Sequence, residues 1–279
     1  MPRLSPMLLA CALWLPASGF AQDCEDAGFD AARVDVVAQG GRLYDNWWVT
    51  CGLPAPKATH PAYPGVGKQS GAATWRCKEC HGWDYRGKDG AYAKGPHSTG
   101  IVGIAGKVGR DESDIVAILK NPTHRFDAVV SGATLQRIAG FVSLGQINAG
   151  MRIDAKSKKV TGQVAVGKRV YERRCRDCHG KTGRAMNFSA YANEPEFVGT
   201  IAVDNPWEAL HKIRNGQPGA VMDEKHLSAR DPAETGGSHM GGRMGQHKVR
   251  GRAMPPMREL LTFKQQNDLL AYLQTLPVR

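Results

Sequence analysis

Apolar residues recur three and four positions apart in several stretches of this chain, the spacing of one helix face. Ile115, Ile118 and Leu119 predict a helix over Glu112 to Lys120, with Asp111 or Ser113 available to cap it. Leu135, Ile138, Phe141 and Val142 predict a second over Thr134 to Leu144. Leu210 and Ile213 do so for Asn205 to Arg214, where Pro206 suits a first turn. Leu269, Leu270, Leu273 and Leu276 mark a last helix over Leu261 to Leu276, which Pro277 should end. No strand–helix–strand alternation is visible, and the expected fold class is all-α.

One short pattern occurs twice. Gly167 and Tyr171 are four apart and share a helix face, so Gly167 lets two backbones approach while Tyr171 and Tyr272 pack at the crossing. Gly40 and Tyr44 repeat the spacing. About thirty residues, 45–76, then intervene before the next recognisable motif. They hold Trp47, Trp48, Cys51, Pro54, Pro56, Pro61 and Pro64, and read as an irregular excursion. The basic polar run Lys156-Ser157-Lys158-Lys159 suggests a boundary near residue 160.

Composition adds a constraint. The 279 residues are 42% apolar and 23% charged, which excludes a disordered chain, yet aromatics are only 7%. A small core poor in Phe and Tyr calls for a bulky prosthetic group. The net charge is +11, but the basic residues are scattered and no nucleic-acid reading motif is present, so no nucleic-acid partner is expected. Arg173, Arg174, Arg176 and Arg184 do cluster, and either steer an acidic redox partner or form solvated helix faces.

Residues 1–21 read as a secretory signal: Arg3, the apolar run Met7 to Leu15, and the small residues of Gly19-Phe20-Ala21. A faint lipobox at Leu8-Leu9-Ala10-Cys11 is the rival reading. No stretch approaches the roughly 20 apolar residues of a membrane span. Cleavage after Ala21 removes Arg3, lowering the charge from +11 to +10, and places the mature chain in the periplasm.

Six cysteines then remain, and four of them fall into Cys77-Lys78-Glu79-Cys80-His81 and Cys175-Arg176-Asp177-Cys178-His179. Both read C-x-x-C-H, the attachment signature of c-type haem: two thiols add across the vinyl groups of one porphyrin, and the adjacent His81 or His179 supplies the proximal nitrogen. A redox dithiol does not need the trailing histidine. A zinc site would have to pool ligands from both runs. Two copies of the full motif behind an export signal argue for two covalently bound haem c groups.

With these motifs in place the chain resembles the class I cytochrome c family, as a tandem dihaem member. Gly167 to Cys175 looks like the family's N-terminal helix, Met254-Pro255 its distal-ligand loop, and Leu261 to Leu276 its C-terminal helix. The resemblance implies two cytochrome c domains: 22–160 with the insertion 45–76, and 161–279 with a flexible insertion at about 223–253. Cys24 and Cys51, the unassigned thiols, are expected to form a disulfide, the alternative being that one ligates iron.

The resemblance also sets the sixth ligands. Met254 precedes Tyr272 by eighteen residues, where the family places its thioether; Met257 and Met222 are the alternatives. Counting back seventeen residues from Phe141 reaches His124, so the first haem is expected to be bis-His. His97, His60, Met151 or an open position remain alternatives there. A thioether raises the potential relative to a second imidazole, so electrons would run from the first haem to the second. His226, His239, His247, Met240 and Met244 lie in the second insertion, which reads as a surface loop or a copper site.

The expected function is periplasmic transfer of single electrons between a donor dehydrogenase and a downstream oxidase or reductase, without bound substrate. The rival is a dihaem oxidoreductase acting on an inorganic sulfur or nitrogen compound or peroxide at the first haem. A third reading is a cytochrome subunit of a larger redox complex.

Overall fold

A computed structural model describes residues 36–189, 194–218 and 254–278. The expected signal segment, Cys24, Met222 and the His/Met-rich stretch 223–253 lie outside the described residues. Within them the fold is helical, with only isolated bridges Gly87–Val102 and Ile153–Val160 in place of strands.

The first half opens with α1 (Val36–Thr50). Its helical pattern runs through the position where an irregular excursion was expected to begin, with a kink where Asn46 leaves helical φ/ψ. The excursion proper starts after Thr50 and ends in a 3-10 turn, Gly71–Trp75, before α2 (Cys77–His81). Then come α3 (Glu112–Lys120) and α4 (Gly132–Gly140). The Asp111 carboxylate accepts from Ser113 N–H and caps α3. Ser131 caps α4 by accepting from Thr134 N–H, and the helix ends in a wider π turn, Phe141–Gly145.

The second half repeats the order with α5 (Val164–Arg174), α6 (Arg176–His179), α7 (Val198–Asp204), α8 (Pro206–Asn215) and α9 (Phe263–Leu273). Pro206 occupies the first turn of α8, as its fixed φ favours, and Asn205 caps it. Thr262 and Gln265 form a capping box on α9. That helix stops at Leu273, before the expected stop at Pro277. The Gln274 amide beyond it holds the carbonyls of Lys158 and Ala202 at 2.8 and 2.9 Å.

The two halves share one packing geometry. At Gly40 a Cβ would collide with the Arg137 carbonyl and the Phe141 Cβ of the α4 segment. At Gly167 it would collide with the Asp268 carbonyl and the Tyr272 Cβ of α9. Each glycine thus lets its helix cross a later one at backbone contact. Around the first crossing Leu43, Tyr44, Leu135, Ile138 and Phe141 form a buried cluster. Around the second, Val170, Tyr171, Leu210, Leu269, Leu270 and Leu273 do so. Ala149 and Ile153, ahead of residue 160, also pack into the second cluster.

The halves also grip each other. Gly41, beside Gly40, faces α8, where a Cβ would collide with the Asn215 side chain. The buried Arg42 guanidinium donates to the Asn215 carbonyl at 2.9 Å, a cation at the C-terminal end of α8. Trp83 and Tyr92 of the first half pack into the second cluster, and His211 of α8 enters the first.

Candidate haem sites

Both C-x-x-C-H runs are short helices held from above by the same bond. Tyr44 Oη donates to the Gly82 carbonyl at 2.6 Å, and Tyr171 Oη donates to the Gly180 carbonyl at 2.6 Å. Each acceptor glycine directly follows the motif histidine, with φ of 79° and 77°, a left-handed geometry that needs no Cβ. The tyrosine of the opening helix therefore fixes the chain just beyond His81 or His179.

Cys77, Cys80, Cys175 and Cys178 are not in disulfides, and each is half-buried. Burial, reinforced by the neighbouring thiol, pushes Cys77 and Cys175 up to about 12; burial and the Glu79 carboxylate do the same to Cys80. A redox-active dithiol needs a lowered thiol pKa, so this environment opposes that chemistry. Cys51 is disulfide-bonded, which removes it as an iron ligand.

At the first motif the His81 imidazole is oriented. His81 Nδ1–H donates to the Val102 carbonyl at 2.8 Å, leaving the Nε2 lone pair available. His124 is held in the same manner, with Nδ1 3.2 Å and its backbone N–H 3.0 Å from Asn121 Oδ1. The two rings lie 6.3 Å apart between centroids and 23° from parallel. One metal ion with two imidazole bonds of about 2.0 Å, plus the half-width of each ring, spans about 6 Å. The first site thus fits an iron held by two histidines.

The alternative ligands are placed otherwise. His60 has both ring nitrogens engaged, Nε2 at 3.2 Å from the His124 carbonyl and Nδ1 at 3.1 Å from Ala62 N–H. His97 Nδ1 binds the buried Glu79 carboxylate at 2.7 Å, and its ring stacks on Tyr92. Met151 is 72% exposed. Glu79 also receives Lys78 Nζ at 3.0 Å; burial raises its pKa, but His97 and Lys78 outweigh burial and leave it lowered.

At the second site His179 packs against Phe188, and burial lowers its pKa to about 4. Its buried Nδ1 has no hydrogen-bond partner. Met254 is half-buried, with its carbonyl against Gly216, whose φ is 84°. Met257 is 5% exposed within the second cluster, and its backbone N–H donates to the Ile213 carbonyl at 2.9 Å. Met257 is thus committed to packing, whereas Met254 is not part of that cluster. The two thiols of this motif and the neutral imidazole beside them suit covalent haem c. Arg173, Arg174 and Arg176 are exposed beside this motif, while the Arg184 guanidinium lies over the Phe197 ring at 5.1 Å.

Gly41 and the buried pair of Asp45 with Arg76 escaped the sequence reading, and His60 was read as an alternative iron ligand, not as a partner of the His124 carbonyl. The doubled glycine at 40–41, against the single Gly167, was a signal for Gly41. His60 and Asp45 pair with residues far away in the chain and leave no local pattern.

Residues 164–277 match the family model described as Cytochrome c, so this stretch is similar to electron-transfer domains that carry covalently bound haem c. No curated protein and no solved structure matches the chain. Among the described residues no helix is long and apolar enough to cross a membrane.

Proposed function

We propose that the chain is an exported dihaem c-type cytochrome of two tandem domains. It would pass single electrons in the periplasm from a donor dehydrogenase to a downstream oxidase or reductase. One observation carries the second haem: the tyrosine-to-glycine bond over the motif occurs at 2.6 Å in both halves, beside helix crossings at equivalent glycines. Residues 22–160 and 161–279 are the two units of this reading.

Bound haem iron supplies a one-electron couple whose potential follows its axial ligands. The chain's residues do the rest. Cys77 with Cys80, and Cys175 with Cys178, would hold the porphyrins. His81 and His124 would bind iron in the first unit, His179 and Met254 in the second. The buried clusters exclude water from both sites. His124 facing His81 supports the carrier over an enzyme, because an enzyme needs a free iron position. The exposed arginines at α5 and α6 suit an acidic redox partner, and membership of a larger complex is compatible with the same chemistry.

The test is expression in a host able to attach haem c. Mass spectrometry of the purified chain should show cleavage after Ala21 and two haem additions. Cys77→Ala with Cys80→Ala should remove one addition and leave the other. A single addition in the parent chain would sink the dihaem reading. Redox titration should give two waves, the lower disturbed by His124→Ala.

A further inference from the structure

The insertion that separates α1 from the first C-x-x-C-H motif has no counterpart in the second half, where Cys175 follows Tyr171 by four residues. It folds onto one target, the loop bearing His124. His60 is 7% exposed. Its Nδ1 accepts from Ala62 N–H, so Nε2 carries the proton and donates to the His124 carbonyl at 3.2 Å. The ring stacks on Phe126, two residues past His124, with centroids 6.1 Å apart and planes 26° apart, and meets Trp75 at 4.4 Å. His60 is itself anchored, its backbone N–H donating to Thr74 Oγ1 at 2.8 Å while that hydroxyl donates to Gly71 O at 2.6 Å. Trp75 is fixed through Nε1 to the Ala58 carbonyl, and its own carbonyl accepts from Trp47 Nε1 at 3.1 Å.

We infer that His60 is a positioning residue for His124, and that the insertion is a clamp holding this distal ligand against the first iron. The inference rests on the proposed bis-His reading of the first site. The loop of residues 121–126 lies between α3 and the 3-10 turn Phe126–Ala128, and Arg125 beside His124 has φ 54°. The loop's own bonds converge on Asn121, whose carbonyl accepts from Arg125 N–H at 2.9 Å and whose Oδ1 accepts from Thr123 and His124 N–H at 3.0 Å, while His60 adds a bond from outside at the His124 carbonyl. A ligand held from both sides, by Asn121 on its ring and by His60 on its backbone, dissociates rarely. External ligands then have little access to that iron.

The experiment is carbon monoxide binding to the reduced holoprotein, followed by stopped-flow absorbance. The unchanged second haem is the internal reference. His124→Ala should make the first haem bind carbon monoxide at once. His60→Ala should raise its binding rate roughly tenfold, as expected for loss of one buried hydrogen bond with its packing. His60→Gln, which keeps an N–H donor, should restore most of the parent rate. Thr74→Val, which removes the anchor of His60 without changing volume, should move the rate in the same direction by a smaller factor. It decides the matter if His60→Ala does not accumulate. If His124→Ala opens the site but His60→Ala and Thr74→Val bind at the parent rate, the clamp is overturned and the ligand reading stands. If His124→Ala itself changes nothing, the bis-His reading has failed.

Discussion

His211 of α8 donates from Nε2 to the carbonyl of Gly41 on α1 at 2.8 Å, across 170 positions of sequence. Its Nδ1 accepts from Tyr85 Oη at 2.8 Å, so the ring is neutral in a fixed tautomer. It is 1% exposed and lies against Tyr44, Trp83 and Phe141. One histidine therefore joins the second half to the segment that follows the first haem motif.

Burial lowers the His211 pKa to about 4, against opposing pulls from Asp45 and Glu208 and with a push from Lys212. An unfolded histidine titrates near 6.5, so below that pH the unfolded state binds the extra proton. Stability from this group is complete above pH 6.5 and is lost as pH falls towards 4, up to about 3 kcal/mol. Guanidinium unfolding of the holoprotein between pH 4 and 7 should show that slope. His211→Ala should flatten it, and should cost about 2–4 kcal/mol at pH 7 by leaving Tyr85 and Gly41 unpartnered around a cavity. An unchanged slope would show that other groups set the acid limit.

The glycine crossings make a contrast within one protein. Gly40→Ala and Gly167→Ala force a methyl against helix backbone and should each destabilise by about 1–3 kcal/mol or more. Gly132→Ala, where a Cβ meets nothing within 4 Å, should stay within about 0.5 kcal/mol of the parent. Thermal melts of the three variants check this, and equal losses at all three positions would refute it.

If Met254 is the proposed iron ligand and Met257 belongs to the core, their variants should differ. Met254→Ala should abolish the long-wavelength absorption band of a thioether-ligated ferric haem and lower the upper redox wave, with modest loss of stability. Met257→Ala should keep the band and cost about 2–5 kcal/mol, because that side chain is buried among Leu210, Ile213 and Leu261. Loss of the band in Met257→Ala alone would exchange the two assignments.

Tyr44→Phe and Tyr171→Phe each remove one buried hydrogen bond over a haem motif. Each should cost about 1 kcal/mol. If the halves are equivalent haem domains, Tyr44→Phe should shift the lower redox wave and Tyr171→Phe the upper one. Voltammetry of the two variants reads this directly.

Much of the fold could be read from the sequence, because it is locally written. The α3 bounds, the Pro206 start of α8 and the Gly-x-x-x-Tyr spacing all follow from contacts within one helix turn or from a fixed backbone angle. The two C-x-x-C-H motifs were visible for the same reason, since two thiols and an imidazole that are to serve one porphyrin must be near neighbours. The interface was not legible. Arg42 and Asp45 are polar residues whose partners lie elsewhere in the chain, so each reads locally as a solvated position, and the bond of His211 to Gly41 leaves no local pattern. Asp45 is buried against Arg76; burial pushes its carboxyl up, but Arg76, Lys212 and His211 together hold it below the usual range. His60 read as a spare ligand because a sequence shows an imidazole but not the occupants of its two nitrogens. The end of α9 was misplaced because the backbone tightens after Leu273, where Thr275 and Leu276 N–H bond three residues back to the Tyr272 and Leu273 carbonyls, while apolar spacing continues to Leu276.

The adjacent glycines on α1 serve different neighbours, Gly40 the α4 segment of its own half and Gly41 the Asn215 side chain of the other. Neither half is therefore a freely exchangeable cassette. A foreign haem module grafted in place of residues 36–150 would have to bring a bare backbone step at Gly41 and a guanidinium at Arg42. Without them it would leave α8 facing a surface it cannot close upon. In lineages that shuffle such modules, this pair should travel together or not at all.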